Sequence, residues 1–114
     1  MFGGNRLRDN VKGGALTEVT FFILLSFYTP KHGYGVMQFV EEKTQGRLVL
    51  GAGSLYGAIK TLQKRNWITP VDDGKGRKKE YVITKTGREI ADIEMKRLKN
   101  LISIAEEIMG GQVS

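Results

Sequence analysis

The chain has 114 residues, a net charge of +6 and no cysteine; that length holds one domain with a single core. Its 40% hydrophobic and 26% charged residues exclude wholesale disorder, and the missing cysteines exclude disulfides, thiolate metal sites and cysteine nucleophiles. The longest apolar run, residues 19–27, is well short of the roughly 20 residues a spanning helix needs, and no secretion signal is visible, so a cytoplasmic protein without membrane contact is expected.

Residues 1–15 hold Arg6, Arg8 and Lys12 among four glycines and read as a flexible basic arm. Thr17 is placed to cap a first helix over Val19–Tyr28, with Glu18 in the first turn where the helix dipole favours an acid. That helix is apolar almost all round, which calls for cover on two sides; Phe21, Phe22 and Leu25 are assigned to a partner subunit. Thr29 to Gly35 is a breaker cluster around Pro30. His32 is the single histidine, without a second ligand nearby, and is expected to serve a turn or cap hydrogen bond. A second helix follows over about Tyr34–Thr44, with Val36, Phe39 and Val40 inward, and Gly46 ends it. Residues 47–50 suggest a short strand.

The third helix begins at Gly51 or Ala52 and runs to about Arg65. Leu55, Ile59 and Leu62 recur at helical spacing, with Ala58 beside them, and must face inward. Ser54, Tyr56, Gly57, Lys60, Thr61 and Lys64 are thereby turned outward. Trp67, Ile68 and Val71 suggest a strand with Pro70 on its edge, residues 72–76 carry turn chemistry, and Tyr81–Ile83 return. Thr84 caps a last long helix from Lys85 to about Met109, stopped by Gly110. Leu98, Leu101, Ala105 and Ile108 step by three and four along it, a coiled-coil-like seam, with Ile102 beside it. These residues too are assigned to a dimer interface. The fold expected is mainly α with a small β-hairpin. Residues 16–84 form its body, 85–110 a dimerisation helix and 111–114 a tail.

Nine basic groups and three acids lie between residues 54 and 88, so this stretch carries the whole charge excess. A local field of that kind attracts a polyanion, although a solvated lysine surface is the plainer reading. Lys60 and Lys64 suit phosphates or guanine edges, Ser54 and Thr61 suit phosphate, and Tyr56 suits phosphate or a thymine methyl. Tyr34 at the start of the second helix suits the backbone. Lys75, Arg77 and Lys78 at the hairpin tip supply sequence-independent attraction.

Gly51, Gly53 and Gly57 offer a competing motif, a glycine-rich turn between a strand-like segment and a helix with Asp72 about twenty residues on, as in dinucleotide-binding folds. The glycine spacing departs from G-x-G-x-x-G, two helices precede the only candidate unit, and too few residues follow for a doubly wound sheet. With no catalytic constellation, cofactor or metal site in view, an enzyme is not expected. A winged-helix module docking an acidic protein or RNA is the other alternative.

Several segments together resemble the PadR-like transcriptional regulators. They are Leu16-Thr17-Glu18, His32-Gly33-Tyr34-Gly35, the run from Gly53 to Leu62, Arg77 to Tyr81, and Ile83 to Arg88. The resemblance covers residues 16–88, and its most specific parts are His-Gly-Tyr and Gly-Ser-Leu-Tyr. Gly51-Ala52 stand where the family often has Ser-Pro, and Gly57 where it often has proline. The resemblance implies a winged helix-turn-helix homodimer that acts as a repressor. Its third helices would enter successive major grooves of double-stranded DNA, with the 72–80 wings on the flanking backbone. It also implies a small hydrophobic effector that releases the DNA; some small relatives hold flat aromatic compounds at the dimer interface. The last helix here has no aromatic residue; Phe21, Phe22 and Phe27 of the first helix could substitute, although core packing explains them more simply.

Overall fold

The computed structural model describes residues 14–72 and 79–110. Residues 1–13 of the expected arm, the wing tip with Lys75, Arg77 and Lys78, and the tail lie outside them. The order of elements is α1 (Glu18–Ser26), α2 (Gly33–Lys43), α3 (Ala52–Lys64), β1 (Ile68–Val71), β2 (Glu80–Ile83) and α4 (Lys85–Ile108). The architecture is mainly α with one antiparallel hairpin.

Thr17 caps α1 as its sequence suggests, its hydroxyl oxygen accepting from the Thr20 amide at 3.1 Å. The helix stops at Ser26, short of Tyr28, because the Phe27 carbonyl accepts from the Ile83 amide at 2.8 Å. A long-range partner thus takes a carbonyl just past the end of α1. Lys31 and Tyr81 exchange a further pair of backbone bonds, so the segment between α1 and α2 lies beside β2. His32 is the N-cap of α2, yet the expected side-chain cap bond is absent; its carbonyl accepts from Val36 at 3.2 Å.

Gln45 and Gly46 both adopt positive φ, 53° and 84°, and the Gly46 amide donates back to Glu41 as α2 ends. The strand expected over 47–50 does not form. Instead the Leu48 amide donates to the Thr44 hydroxyl at 3.0 Å, Arg47 turns to an ion pair with Glu18, and no strand lies alongside among the described residues. Leu50 is buried in the core and Val49 is exposed. The hairpin pairs Ile68 with Ile83 and Val71 with Glu80, with Pro70 opposite Tyr81.

Ile23, Leu24 and Phe27 of α1 and its end, Val36 and Val40 of α2, and Leu55, Ile59 and Leu62 of α3 meet in one core closed by Ile68 and Ile83. Phe39, expected inward, is only half-buried, with the Lys31 and Lys43 ammonium groups over its ring. Phe21, Phe22 and Leu25 are also half-buried, α1 being covered on fewer sides than its composition suggests.

The start of α4 is fixed to the end of α3. Thr84 accepts from the Gly87 amide at 3.0 Å and donates to the Asn66 carbonyl at 2.7 Å. Gly87 packs so closely on the Trp67 carbonyl that a Cβ there would overlap it and lie 2.7 Å from Ile83 Cγ1. Gly87, Ala91 and Glu94 are the buried residues of α4. Past them the helix leaves the domain: Leu98 and Ala105 are half-buried, Leu101 and Ile102 are exposed, and Ile108 is 76% exposed.

Candidate nucleic-acid interface

The exposed face of α3 follows from the burial of the opposite one. With Leu55, Ile59 and Leu62 in the core, Ser54, Tyr56, Gly57, Lys60, Thr61 and Lys64 all face solvent. α3 contains no acidic residue. Gly53 and Gly57 have nothing within 4 Å of where a Cβ would sit, so this face is low at its N-terminal half. Lys60, Thr61, Gln63 and Lys64 line an open depression of about 570 Å³ at its C-terminal half. The Thr61 hydroxyl donates to the Gly57 carbonyl at 3.2 Å, which leaves its oxygen free to accept.

Tyr56 has a more particular place than its spacing shows. It is 53% exposed, yet its ring lies across Gly33, with the hydroxyl 2.5 Å from where a Cβ of residue 33 would stand. The ring of Tyr56 therefore lies over the edge of the body while about half of the residue stays open to solvent. Beside it Tyr34 is 59% exposed at the beginning of α2. His32, Gly33, Tyr34, Tyr56, Lys79 and Tyr81 enclose a notch of about 240 Å³ where α2, α3 and the base of the wing converge. Sequence alone assigns His32 only a turn or cap role and Lys79 only a share of the charge of the basic turn; neither pattern places them in this notch. Lys79 reaches the notch from the foot of the basic turn, and His32 is brought there by the tertiary fold.

Behind this face Lys31 serves the fold. Its ammonium donates to the Ser26 carbonyl at 2.8 Å and the Thr29 hydroxyl at 2.7 Å, and burial pushes its pKa down. Arg65, the C-cap of α3, stacks over Trp67 at 5.2 Å. No group of three or more potential metal ligands occurs among the described residues. Nor, among them, is any helix long and apolar enough to cross a membrane. The glycines at 51 and 53 do not form a phosphate loop after a strand: Gly51 is the N-cap of α3, its carbonyl accepting from Leu55 at 3.0 Å.

Three helices packed around one core, a polar third helix and an adjoining antiparallel hairpin define the winged helix-turn-helix class. Residues 23–92 match the family model described as the transcriptional regulator PadR-like family. The chain belongs to that family of transcriptional regulators.

A curated relative, an uncharacterized 37.1 kDa protein in transposon TN4556 of Streptomyces fradiae, is 35% identical over 72 residues. The match takes in 63% of this chain and 20% of that protein, so the chain spans about a fifth of the relative's length. Among solved structures, a transcriptional regulator from Clostridium thermocellum superposes with a TM-score of 0.69 at 22% identity, covering 78% of this chain and 87% of that one. A PadR family regulator from Eggerthella lenta gives 0.69 at 16% identity, with 82% and 83% covered. One from Clostridium difficile gives 0.67 at 18% identity, with 82% and 100% covered. At these identities the likeness is one of fold.

Proposed function

We propose that the chain is a repressor that binds operator DNA as a homodimer in the cytoplasm, with α3 in the major groove. The observation that carries this reading is the outward face of α3: hydroxyls, lysines and two bare glycines, with no acid, on a helix whose other face is core. Lys60 and Lys64 read guanine edges or hold phosphates, and Ser54 and Thr61 make polar contacts. Tyr34 and Tyr56 serve the sugar-phosphate backbone, since the ring of Tyr56 is seated at the start of α2. Lys75, Arg77 and Lys78 of the wing add salt-dependent attraction.

The domain division at residues 16–84 and 85–110 belongs to the same reading. The apolar seam is half-buried at Leu98 and Ala105 and exposed at Leu101, Ile102 and Ile108, so most of it lacks cover among the described residues. A second copy supplies it, together with cover for Phe21, Phe22 and Leu25. Release by a small hydrophobic effector completes the proposal. A cavity of about 420 Å³ between α1 and α4 sets Leu16, Phe21 and Leu98 opposite a polar rim of Thr17, Glu18, Glu94 and Arg97, and its apolar part is where such a molecule would rest.

The test is to select duplexes from a random library with the full chain, then compare the selected and scrambled duplexes at physiological salt. Tighter binding of the selected sequence, weakened by Lys60→Ala and Lys64→Ala at unchanged melting temperature, supports the reading. Equal affinity for both duplexes sinks it.

A further inference from the structure

One stripe runs the length of α4. From Gly87 through Ala91, Glu94 and Leu98 the steps are four, three and four, and the seam goes on through Leu101 and Ala105. The first three residues are buried against the domain, and from Leu98 onward the stripe is half-buried or exposed. Glu94 is therefore the last buried position before the helix leaves its own domain. A carboxylate, only 4% exposed, occupies it.

Every bond to that carboxylate is directional. Its Oε1 accepts from the Leu16 amide at 3.3 Å and from Arg97 Nε at 3.0 Å, while Oε2 accepts from Arg97 Nη2 at 2.6 Å. Leu16 directly precedes the α1 cap Thr17, so the contact ties the exit point of α4 to the start of α1. An apolar side chain there would stabilise the core at least as well, because a buried ion pair seldom outperforms a hydrophobic group of similar volume. It would also let the two helices slide or rotate, as a directional network does not.

We infer that Glu94 is a positioning residue. It sets the angle at which α4 leaves the domain, and through it the separation of the two recognition helices. This rests on the DNA-reading dimer proposed above. From Glu94 to Ile108 the helix runs about 21 Å, so a tilt of about 5° at Glu94 moves the far end about 2 Å. Two-fold readers need their recognition helices about 34 Å apart, and one base pair is a step of about 3.4 Å. A slack of a few degrees at this junction is thus comparable to one base pair in half-site spacing.

The experiment uses the full chain and a palindromic duplex selected by the wild type, with versions carrying one base pair inserted or deleted between the half-sites. Wild type should bind the selected spacing at least about tenfold more tightly than either altered spacing. Glu94→Leu should remain a folded dimer, lose affinity for the selected spacing and bind all three duplexes within about threefold of one another. Glu94→Gln, which keeps an acceptor for the Leu16 amide, should fall between them and stands in should Glu94→Leu not fold. A spacing profile for these variants identical to wild type overturns the inference and leaves the DNA-binding reading intact. If wild type itself selects no duplex, or binds as a monomer, the reading fails and the inference with it.

Discussion

Gly33 has no side chain because the ring of Tyr56 fills the space a Cβ would need. The obstacle is the far end of a half-exposed side chain, so the fold can adapt to a methyl group but Tyr56 must then leave the notch. Gly33→Ala should cost less than about 1 kcal/mol in a urea melt and still weaken duplex binding. Gly87 and Gly57 are the contrasting pair. At Gly87 the obstacle is the Trp67 carbonyl, which belongs to the backbone and cannot step aside; Gly87→Ala should destabilise by about 3 kcal/mol or more. At Gly57 the space is open, and Gly57→Ala should stabilise by about 1 kcal/mol through helix propensity alone. Thermal or urea unfolding of the two variants gives opposite signs. Lys79 calls for a third measurement: Lys79→Ala should lower affinity for all duplexes alike and reduce the slope of log affinity against log salt by about 1.

Among the elements, those set by local chemistry were legible in the sequence. The caps Thr17 and Thr84, the stop at Gly46 and the inward stripe of α3 each depend on residues within a turn or two. Elements decided by distant partners were not. A strand over 47–50 needed a neighbouring strand the fold does not supply, and the end of α1 is set by a bond from Ile83. Glu94 is hard to read from the sequence because an acid in a seam looks like a solvent residue. The only trace of it in the sequence is that Glu94 stands one step of four before Leu98 in the seam, with Arg97 three residues on. Hydrogen bonds from Arg97 hold the Glu94 carboxyl below its ordinary value against the opposing effect of burial, and the Leu16 amide adds to the lowering. In the unfolded chain the group titrates near roughly 4.3. Its contribution is therefore complete above that pH and is lost as pH falls through the lower folded value. The melting-temperature gap between wild type and Glu94→Gln should be wider at pH 7 than at pH 3. A gap independent of pH would assign the stabilisation to packing instead of charge.

At the scale of the whole molecule, the far half of α4 is the part that a single copy leaves uncovered. Leu101→Glu with Ile108→Glu should yield a monomer in sedimentation equilibrium, and its affinity for a palindromic duplex should fall towards that for one half-site. The wild-type melting temperature should rise with protein concentration, and that of the double variant should not. The wing shows the opposite condition. Two strands of four residues are marginal by themselves in water. Here Lys31 and Tyr81 exchange amide bonds and Ile83 donates to Phe27, so the base of the hairpin shares its hydrogen bonds with the segment joining α1 to α2. The consequence is kinetic. The amide protons of Lys31, Tyr81 and Ile83 can reach solvent deuterium only when the helical body opens, so all three should exchange at the rate set by global unfolding.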